Sequence, residues 1–194
     1  MEIVLASASP RRRELLTLIT EEFTVCPVDA DETLRPEEAL EREVVRLSCS
    51  KAQAAQAMHP TAVCIGSDTL VTIDGMALGK PADAAQAADM LRRLRGRTHE
   101  VLTGLAVLPP GGAARTLCTR TRVTFRDFAE DELAAYLAPG EPMDKAGAYG
   151  IQGHGALLVE RIEGDYYSVM GLPVAGLHVL LRELCAGGGA PTHL

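Results

Sequence analysis

The sequence predicts an α/β fold in which helices flank a mixed, twisted β-sheet. Short apolar runs typical of buried strands alternate along the 194 residues with segments that have helical spacing. Several neighbouring strands are separated only by a short turn, which predicts antiparallel hairpins. Alternation together with hairpins favours a mixed sheet over a purely parallel one. Hydrophobic residues make up 47% of the chain and charged residues 23%, as in ordinary globular domains.

The first strand and helix follow from the residues before position 20. The run Ile-Val-Leu-Ala over 3–6 is continuously apolar, as in a buried strand, and a polar turn ends it. We expect a helix to begin at Pro10, because proline suits the first helical turn and Ser9 can act as the N-cap. A short strand is expected near 23–25. The core face of the helix is predicted to consist of Leu15, Leu16, Leu18 and Ile19.

A long amphipathic helix is predicted from Pro36 to about Met58. Glu37 and Glu38 favour its N-terminal end, where the helix dipole is positive. The helical spacing of apolar residues indicates the face that it buries. The residues at that spacing are Leu40, Val44 and Leu47.

The next strands are separated by two turns. A buried strand is predicted over 62–66, and it is expected to end at Ser67-Asp68-Thr69. A further strand covers 70–73. Asp74-Gly75 is a strong two-residue hairpin signal, so we expect a strand over 76–78 to return antiparallel.

The second half of the chain continues the alternation. Asp83 can cap a helix, with Gln86 completing a capping box and Gly96 ending the helix. The elements that follow are strands over 101–108 and 115–125, a helix over 131–137, strands over 157–159 and 166–169, and a helix from Pro173 to about Cys185. Residues 187–194 are expected to be a disordered tail. Residues 1–186 are therefore predicted to form a single domain.

Charge and cysteine usage limit the function classes. The chain has 26 acidic and 19 basic residues, a formal net charge of -7, which argues against a stable nucleic-acid complex. A small basic pocket for an anion stays compatible with that charge. The N-terminus lacks a basic leader, and no apolar stretch reaches the roughly 18 residues of a membrane helix. Five cysteines without a Cys-x-x-Cys pair predict free thiols, and we expect the protein in the cytoplasm.

The turn from Ser7 to Arg12 is the first candidate for chemistry. A turn that enters a helix can present backbone N–H groups to phosphate oxygens, and serine hydroxyls and arginine forks add donors. The alternative is that Ser9 is only a cap and that Arg11 and Arg12 are solvated. The spacing of a Walker motif is absent.

Asp68 is the second candidate. A carboxylate at the end of a buried strand lies where α/β proteins place ligands, and it can hold Mg²⁺ or accept a proton from water. The alternative is an aspartate that begins a turn and bonds the local backbone. Spacing alone favours neither interpretation.

Two further segments have the character of binding loops. Glycine in Gly79-Lys80-Pro81 lets the backbone approach a ligand, and Lys80 adds a charge. The segment 141–153 is rich in glycine and polar residues and includes Lys145 and Gln152. The amide of Gln152 has both donors and an acceptor, so it can pair with the edge of a base. The alternative is a flexible surface turn.

Taken together, the polar candidates combine several cations with few carboxylates. The cations are Arg11, Arg12, Lys51, Lys80 and Lys145, with the hydroxyl of Ser7, and the carboxylates are Glu32, Asp68 and Asp144. Carboxylates can hold a divalent cation while lysines and arginines neutralise phosphate oxygens. The set is what a Mg²⁺-triphosphate requires.

These residues resemble the Maf family of nucleoside triphosphate pyrophosphatases over about 3–184. The segments that carry the resemblance are Leu5-Ala6-Ser7-Ala8-Ser9-Pro10-Arg11-Arg12, Ser67-Asp68-Thr69, Gly79-Lys80-Pro81 with Asp83, Thr103-Gly104, the run from Asp144 to Gly153, and Gly171-Leu172-Pro173. The resemblance implies a cleft between two lobes, as in the inosine triphosphate pyrophosphatases. The segment 144–153 is similar to the branch that acts on dTTP and UTP. Ser67 departs from the alanine of many members, and we expect it to be silent.

The resemblance also implies an activity and a set of roles. It implies metal-dependent hydrolysis of dTTP and UTP, or modified pyrimidine triphosphates, to the monophosphate and pyrophosphate, as a house-cleaning function with Mg²⁺ or Mn²⁺. Asp68 resembles the catalytic proton acceptor of the family. As a hypothesis, Asp68 and Glu32 are the candidate metal ligands, and the sequence leaves open which carboxylate is the base and which holds the metal. The positions that match substrate choice are Arg11, Thr69 and Gln152. The positions that match phosphate binding are Ser7, Arg12, Lys51, Lys80 and Lys145.

A second hypothesis is a non-catalytic regulator of cell division or septum formation that binds nucleotide or DNA. The net charge of -7 disfavours DNA, because nonspecific binding needs many phosphate contacts. The sequence leaves open which metal is used and whether the chain forms a homodimer.

Overall fold

The computed structural model describes residues 2–187, and in it helices flank a seven-stranded sheet. The strands are β1 (Ile3–Leu5), β2 (Thr24–Val25), β3 (Val63–Ile73), β4 (Met76–Leu78), β5 (Thr98–Leu108), β6 (Arg115–Phe125) and β7 (Val159–Glu163). The helices are α1 (Pro10–Leu16), α2 (Leu40–Met58), α3 (Ala84–Leu94), α4 (Glu130–Leu137), α5 (Tyr166–Met170) and α6 (Val174–Gly187). Three short 3-10 helices cover Glu141–Asp144, Ala146–Ala148 and Gly153–Leu158.

The strand order confirms the predicted mixed sheet. The order is β2-β1-β3-β5-β6-β7, and β4 pairs with β3. β1 runs parallel to both β2 and β3, whereas the β3–β4 and β6–β7 pairs are antiparallel. No helix within residues 2–187 is long and apolar enough to span a bilayer.

The chain groups into two compact units. Unit 1 comprises residues up to 68, 103–119 and those from 171 onward, and unit 2 comprises 69–102 and 120–170. A single domain over 1–186 and a cleft between lobes stay predictions. The expected tail begins at Gly187, which ends α6, and its other residues lie outside the part of the chain that is described.

The first two helices begin or end differently from the prediction. α1 begins at Pro10, and Ser9 caps it by accepting a hydrogen bond from the backbone N–H of Arg12, as predicted. α1 ends at Leu16, however, so Leu18 is 62% exposed and is not part of a core face. α2 begins at Leu40 rather than Pro36, because residues 36–38 form a turn and the N-cap Ala39 is extended.

β3 corrects the predicted strand end at Ser67-Asp68-Thr69. It runs unbroken from Val63 to Ile73, so Asp68 lies inside the strand. The polar triplet has the composition of a turn. In the structure, however, Ser67 and Asp68 are both buried, and both bond to groups distant in sequence. The hairpin at Asp74-Gly75 is confirmed, with positive φ at both residues and Val71 opposite Leu78.

For α3, the predicted N-cap is confirmed, but the predicted capping box is not. The side chain of Asp83 accepts a hydrogen bond from the N–H of Gln86. The Gln86 side chain accepts from the N–H of Ala82 rather than from Asp83, so the predicted capping box is not completed. Gly96, with φ +66°, follows the last turn of the helix, as predicted.

Residues 166–169 form helix α5 and not the predicted strand. The carboxylate of Asp165 accepts hydrogen bonds from the N–H of Tyr167 and the hydroxyl of Ser168, which caps a helical turn. This local cap outweighs the strand preference of the Tyr-Tyr-Ser-Val sequence. Leu157 and Leu158 also differ from prediction, since they end a 3-10 helix and β7 begins only at Val159.

In unit 1, α2 lies unusually close to the sheet. A Cβ added to Gly66 would lie 2.1 Å from the carbonyl oxygen of Ser48, and one added to Gly104 would lie 2.3 Å from that of Val44. Small side chains dominate the core between helix and sheet. They include Ala6, Ala52, Ala55, Ala62 and Ala106. The two glycines and these alanines therefore set the distance between α2 and the strands.

Gly66→Ala should destabilise unit 1, because the added methyl group would overlap backbone atoms of α2. We expect the free energy of unfolding to fall by roughly 1–3 kcal/mol, as for overpacked cores. Urea denaturation followed by circular dichroism measures this change. Gly79→Ala is the matched control, since no atom lies within 4 Å of its added Cβ. Equal stability of the two variants would contradict the close approach.

In unit 2, an aromatic cluster surrounds His99. Its ring meets Phe125 and Tyr149 edge-on at centroid distances of 4.9 and 5.3 Å, and its Nε2 lies 2.7 Å from the Tyr149 hydroxyl. Its Nδ1 is buried with no hydrogen-bond partner among the described residues. Burial lowers the pKa of His99 from 6.5 to about 4. His99 is therefore a neutral core residue.

Unfolding should become easier in acid because of His99. Between pH 6.5 and 4 the unfolded chain binds a proton at this residue and the folded chain does not. The free energy of unfolding is therefore unaffected by His99 above pH 6.5 and falls as the pH drops below it. The loss should reach about 3 kcal/mol. Urea titrations across this pH window should show a smaller slope for His99→Gln. A wild-type slope in His99→Gln would contradict the role of His99.

Candidate active site

Lys51 connects two acidic residues in unit 1. Its Nζ donates to Asp68 Oδ1 at 2.5 Å and lies 2.7 Å from Glu32 Oε1. Lys51 and Asp68 are each 8% exposed, whereas the Glu32 side chain is 59% exposed. The structure thus brings together three members of the polar set that the sequence predicts.

The contact between helix α2 and strand β3 explains this meeting. Successive side chains of a strand alternate between faces, so Gly66 and Asp68 lie on the same face, which is the face that meets α2. Lys51 belongs to the buried side of α2. The alternative in which Asp68 begins a turn and bonds the local backbone is wrong, since its carboxylate accepts from Lys51 across the helix–sheet interface.

The Arg12 side chain is held by two parts of unit 1. Its Nε donates to the carbonyl oxygen of Gly171 at 2.8 Å, and its Nη1 donates to the hydroxyl of Ser7 at 3.3 Å. Although some of its surface is exposed, withdrawal from water lowers the pKa of the guanidinium, and the negative charge of Asp68 offsets part of this shift. An arginine stays charged through such a shift, so Arg12 is a fixed cation near Asp68.

The turn before α1 differs from the predicted cradle of unbonded N–H groups. The N–H of Ser9 donates to Ser7 Oγ at 3.2 Å, and that of Arg12 donates to Ser9 Oγ at 3.5 Å. Serine side chains therefore satisfy two of the donors expected for phosphate. Arg11 is half-buried, and its charge contributes to lowering the pKa of Arg12. The guanidinium groups are thus the stronger candidates for binding an anion here.

The acidic pair has the chemistry of a partial metal site. Asp68 and Glu32 place carboxylate oxygens around one ammonium group, so the same position suits a cation. Two carboxylates fit Mg²⁺ or Mn²⁺, which complete their coordination with water and substrate phosphates. Among residues 2–187, no cluster of three or more His, Cys, Asp or Glu side chains forms a complete protein cage.

In unit 2, the predicted loop segments are bonded to one another. The N–H of Gly147 donates to the carbonyl of Gly79 at 3.0 Å, which joins the turn before Lys80 to the segment 141–158. Lys145 donates to the carbonyl of Glu141 and, at 2.6 Å, to the carboxylate of Asp144. Lys80 is exposed and Thr69 is half-buried in β3.

The segment around Gln152 is anchored rather than loose. Tyr149 and Ile151 are buried on either side of Gly150, whose N–H donates to the hydroxyl of Tyr136 at 3.2 Å. Gln152 follows, half-buried. The alternative of a simple flexible surface turn does not describe this arrangement, because its backbone is tied to α4 and its apolar side chains enter the core of unit 2.

Sequence reasoning missed three side chains of unit 1. Ser67, expected to be silent, places its hydroxyl 2.8 Å from the carbonyl oxygens of both Gly104 and Gly171. Glu43 and Arg46 form a hydrogen-bonded ion pair at 2.7 Å. Glu43 could have been noticed, because an acidic residue four positions before Leu47 lies on the buried side of α2. The role of Ser67 had no sequence signal, since its partners are backbone carbonyls distant in the chain.

Comparison with known proteins identifies the family. The Maf-like protein family matches residues 2–184. A dTTP/UTP pyrophosphatase of Bacillus velezensis is 49% identical over 181 residues, which cover 93% of this chain and 95% of that protein. The dTTP/UTP pyrophosphatase of Moorella thermoacetica is 50% identical over 181 residues, 93% of each chain. A solved HAM1 protein from Coxiella burnetii is 17% identical with a TM-score of 0.53, covers 94% of this chain and 99% of its own, and shares the fold. Because the family match extends over nearly the whole length and is supported by relatives at about half identity, the chain belongs to the Maf-like protein family.

Proposed function

We propose that this protein hydrolyses dTTP and UTP to the nucleoside monophosphate and pyrophosphate. The observation that carries the proposal is the arrangement of Asp68, Lys51 and Glu32 beside the cationic Arg12. Relatives that are 49% and 50% identical are named dTTP/UTP pyrophosphatases, which supports the same substrates here. Modified pyrimidine triphosphates are further candidate substrates in a house-cleaning role.

The proposed reaction is an attack of water on the α-phosphorus. Asp68 accepts the proton of the water, the bond from the α-phosphorus to its bridging oxygen breaks, and pyrophosphate leaves with the electron pair. Lys51 keeps the Asp68 carboxylate in place, since its ammonium bonds it directly. Arg12 and Ser7 are proposed to bind phosphate oxygens, together with Lys51, Lys80 and Lys145.

Asp68 and Glu32 are the proposed ligands of a divalent cation. Bound there, Mg²⁺ or Mn²⁺ would supply charge stabilisation at phosphorus. The chain's own contribution is to keep two carboxylates within bonding distance of one ammonium group, at 2.5 and 2.7 Å, so that oxygen donors are already gathered. The same lysine limits their mutual repulsion before a cation binds.

Three residues are proposed to select the substrate. They are Arg11, Thr69 and Gln152, at the positions that match substrate choice in the family. The Gln152 side chain carries one acceptor and two donors, which suits the O4 and N3–H edge of uracil or thymine. Anchoring of the neighbouring Gly150 to Tyr136 supports this role, because a fixed backbone lowers the entropy cost of ordering the amide.

The proposed setting is a small-molecule enzyme of the cytoplasm. The net charge of -7 argues against a stable nucleic-acid complex, and no membrane partner is proposed. The family match over 2–184 supports one functional domain within 1–186. Light scattering would decide between a monomer and a homodimer.

Asp68→Asn should reduce pyrophosphate release from dTTP at least about 100-fold, the usual contribution of a positioned general base. The amide keeps the size of the side chain but cannot accept the proton of water. The assay measures pyrophosphate with Mg²⁺ at saturating substrate. Asp127→Asn is the matched control, since that side chain is 90% exposed, and it should retain wild-type turnover. Near-wild-type turnover of Asp68→Asn, with folding confirmed, would remove Asp68 from the reaction.

A panel of triphosphates with Mg²⁺ or Mn²⁺ separates the enzyme from the non-catalytic regulator. Pyrophosphate release that prefers dTTP and UTP supports the proposal. Tight binding of nucleotide or DNA without release of pyrophosphate would favour the regulator of cell division. Release of inorganic phosphate alone would place the cleavage at a different bond.

Gln152→Glu should lower kcat/KM for dTTP and UTP by about 10-fold, because it removes the donor to O4, a loss of about 1.4 kcal/mol. The rate for CTP should fall less, since cytosine carries an amino group at that position. Steady-state kinetics on the three nucleotides measure the ratio. Gln53→Glu, at an exposed position on α2, is the control. An unchanged ratio of UTP to CTP would exclude Gln152 from base selection.

A further inference from the structure

Near the start of α2, a buried ion pair is bonded to the segment that precedes the helix. Glu43 is 1% exposed, and its carboxylate accepts two hydrogen bonds from Arg46, at 2.8 Å from Nε and 2.7 Å from Nη2. The N–H of Arg35 donates to the same carboxylate at 2.9 Å. Arg46 also donates to the carbonyl oxygen of Thr33 at 2.8 Å. The pair thus joins α2 to two backbone groups of the segment 31–35.

Packing alone does not account for Glu43. Burial of a carboxylate is unfavourable unless each oxygen is bonded, and an apolar residue of similar size is often at least as stabilising. Here a bidentate guanidinium and one backbone N–H satisfy both oxygens. These bonds hold the pKa of Glu43 at about 2, below its ordinary 4.5, so the pair stays charged at neutral pH. The effect of the pair is instead to fix the position of the backbone in the segment before α2.

That segment carries Glu32. Residues 26–35 have no helix or strand, so backbone pairing within an element does not order them. Thr33 and Arg35 are bonded to the ion pair, and the N–H of Thr33 also donates to the carboxylate of Asp31 at 2.9 Å. Glu32 lies between Asp31 and Thr33, and its carboxylate reaches Lys51 at 2.7 Å. The bonds from α2 therefore fix the backbone next to the exposed acidic residue of the site.

We propose that Glu43 and Arg46 are positioning residues that hold the segment 31–35 against α2 and thereby keep Glu32 beside Lys51 and Asp68. The inference rests on the proposed function, in which Glu32 and Asp68 gather oxygen donors near the triphosphate. Glu43 and Arg46 act through Glu32 and touch no substrate. Since Lys51, Glu43 and Arg46 all lie on α2, one helix sets both sides of the contact.

Hydrogen exchange tests, without any use of activity, whether Glu43 and Arg46 clamp the segment 31–35 against α2. In the full-length protein, the Arg35 amide should exchange at least about 10-fold faster in Arg46→Lys and in Glu43→Gln than in the wild type, because each change weakens the bonds that protect it. The Ala6 amide, which bonds Ile65 in the sheet, reports global opening and should be unchanged. Arg42→Lys is the matched control, since Arg42 lies one turn earlier on α2 with its side chain 82% exposed. Wild-type exchange at Arg35 in both variants would overturn the proposal.

A double-mutant cycle tests the path through Glu32. Arg46→Lys should lower kcat for dTTP by about 10-fold, as displaced groups near a reacting centre commonly do. In a Glu32→Gln background, the same change should cost less than about 2-fold, because the residue it positions is already lost. If the effects of Arg46→Lys and Glu32→Gln on kcat simply multiply, Arg46 does not act through Glu32, and this part of the proposal is overturned whatever the exchange rates. If the wild type releases no pyrophosphate from any triphosphate, the proposed function fails, while exchange at Arg35 still decides whether the clamp exists.

Discussion

The close contact of α2 with the sheet is the constraint on which the rest of unit 1 depends. Gly66 and Gly104 leave room for the helix backbone, and any side chain there would overlap the carbonyl oxygens of Ser48 or Val44. This short distance lets a lysine of α2 reach a carboxylate inside β3. Larger residues at these positions would move the helix backbone away from the sheet, and with it Lys51 away from Asp68. The small residues between α2 and the sheet therefore also determine which charged groups can come into contact.

The buried charges of unit 1 occur in sets that compensate one another. Lys51 is shared between Asp68 and Glu32, and Glu43 is bonded to Arg46. An isolated charge at such depth would be neutralised or excluded, so each partner makes the other tolerable. The overall acidity of the chain and its local cations are therefore compatible. The excess negative charge is spread over the surface, while the cations near Asp68 are individually placed by hydrogen bonds.

Local rules predicted the parts of the fold that local chemistry decides. The cap at Ser9, the hairpin at Asp74-Gly75 and the stop at Gly96 all follow from backbone preferences of single residues. The errors arose where distant groups compete with those preferences. Asp68 looks like a turn residue, yet Lys51, 17 positions earlier, keeps it in a strand. The family resemblance identifies the residues of the candidate site. Their mutual contacts, and the involvement of Glu43 and Ser67, depend on tertiary structure that the spacing of residues does not encode.

The unbroken course of β3 has a consequence for how this protein can vary in length. Consecutive residues of a strand point to opposite faces, so Gly66 and Asp68 share the face toward α2, and Ser67 and Thr69 share the other. Insertion or loss of one residue upstream within β3 would exchange these pairs, placing a side chain where only glycine fits and a hydroxyl where Lys51 meets a carboxylate. In the irregular segment before α2, side chains do not alternate between two faces, so a change of length there does not exchange the faces. A change of length should therefore cost less in the loops of this chain than within the strand that carries Asp68.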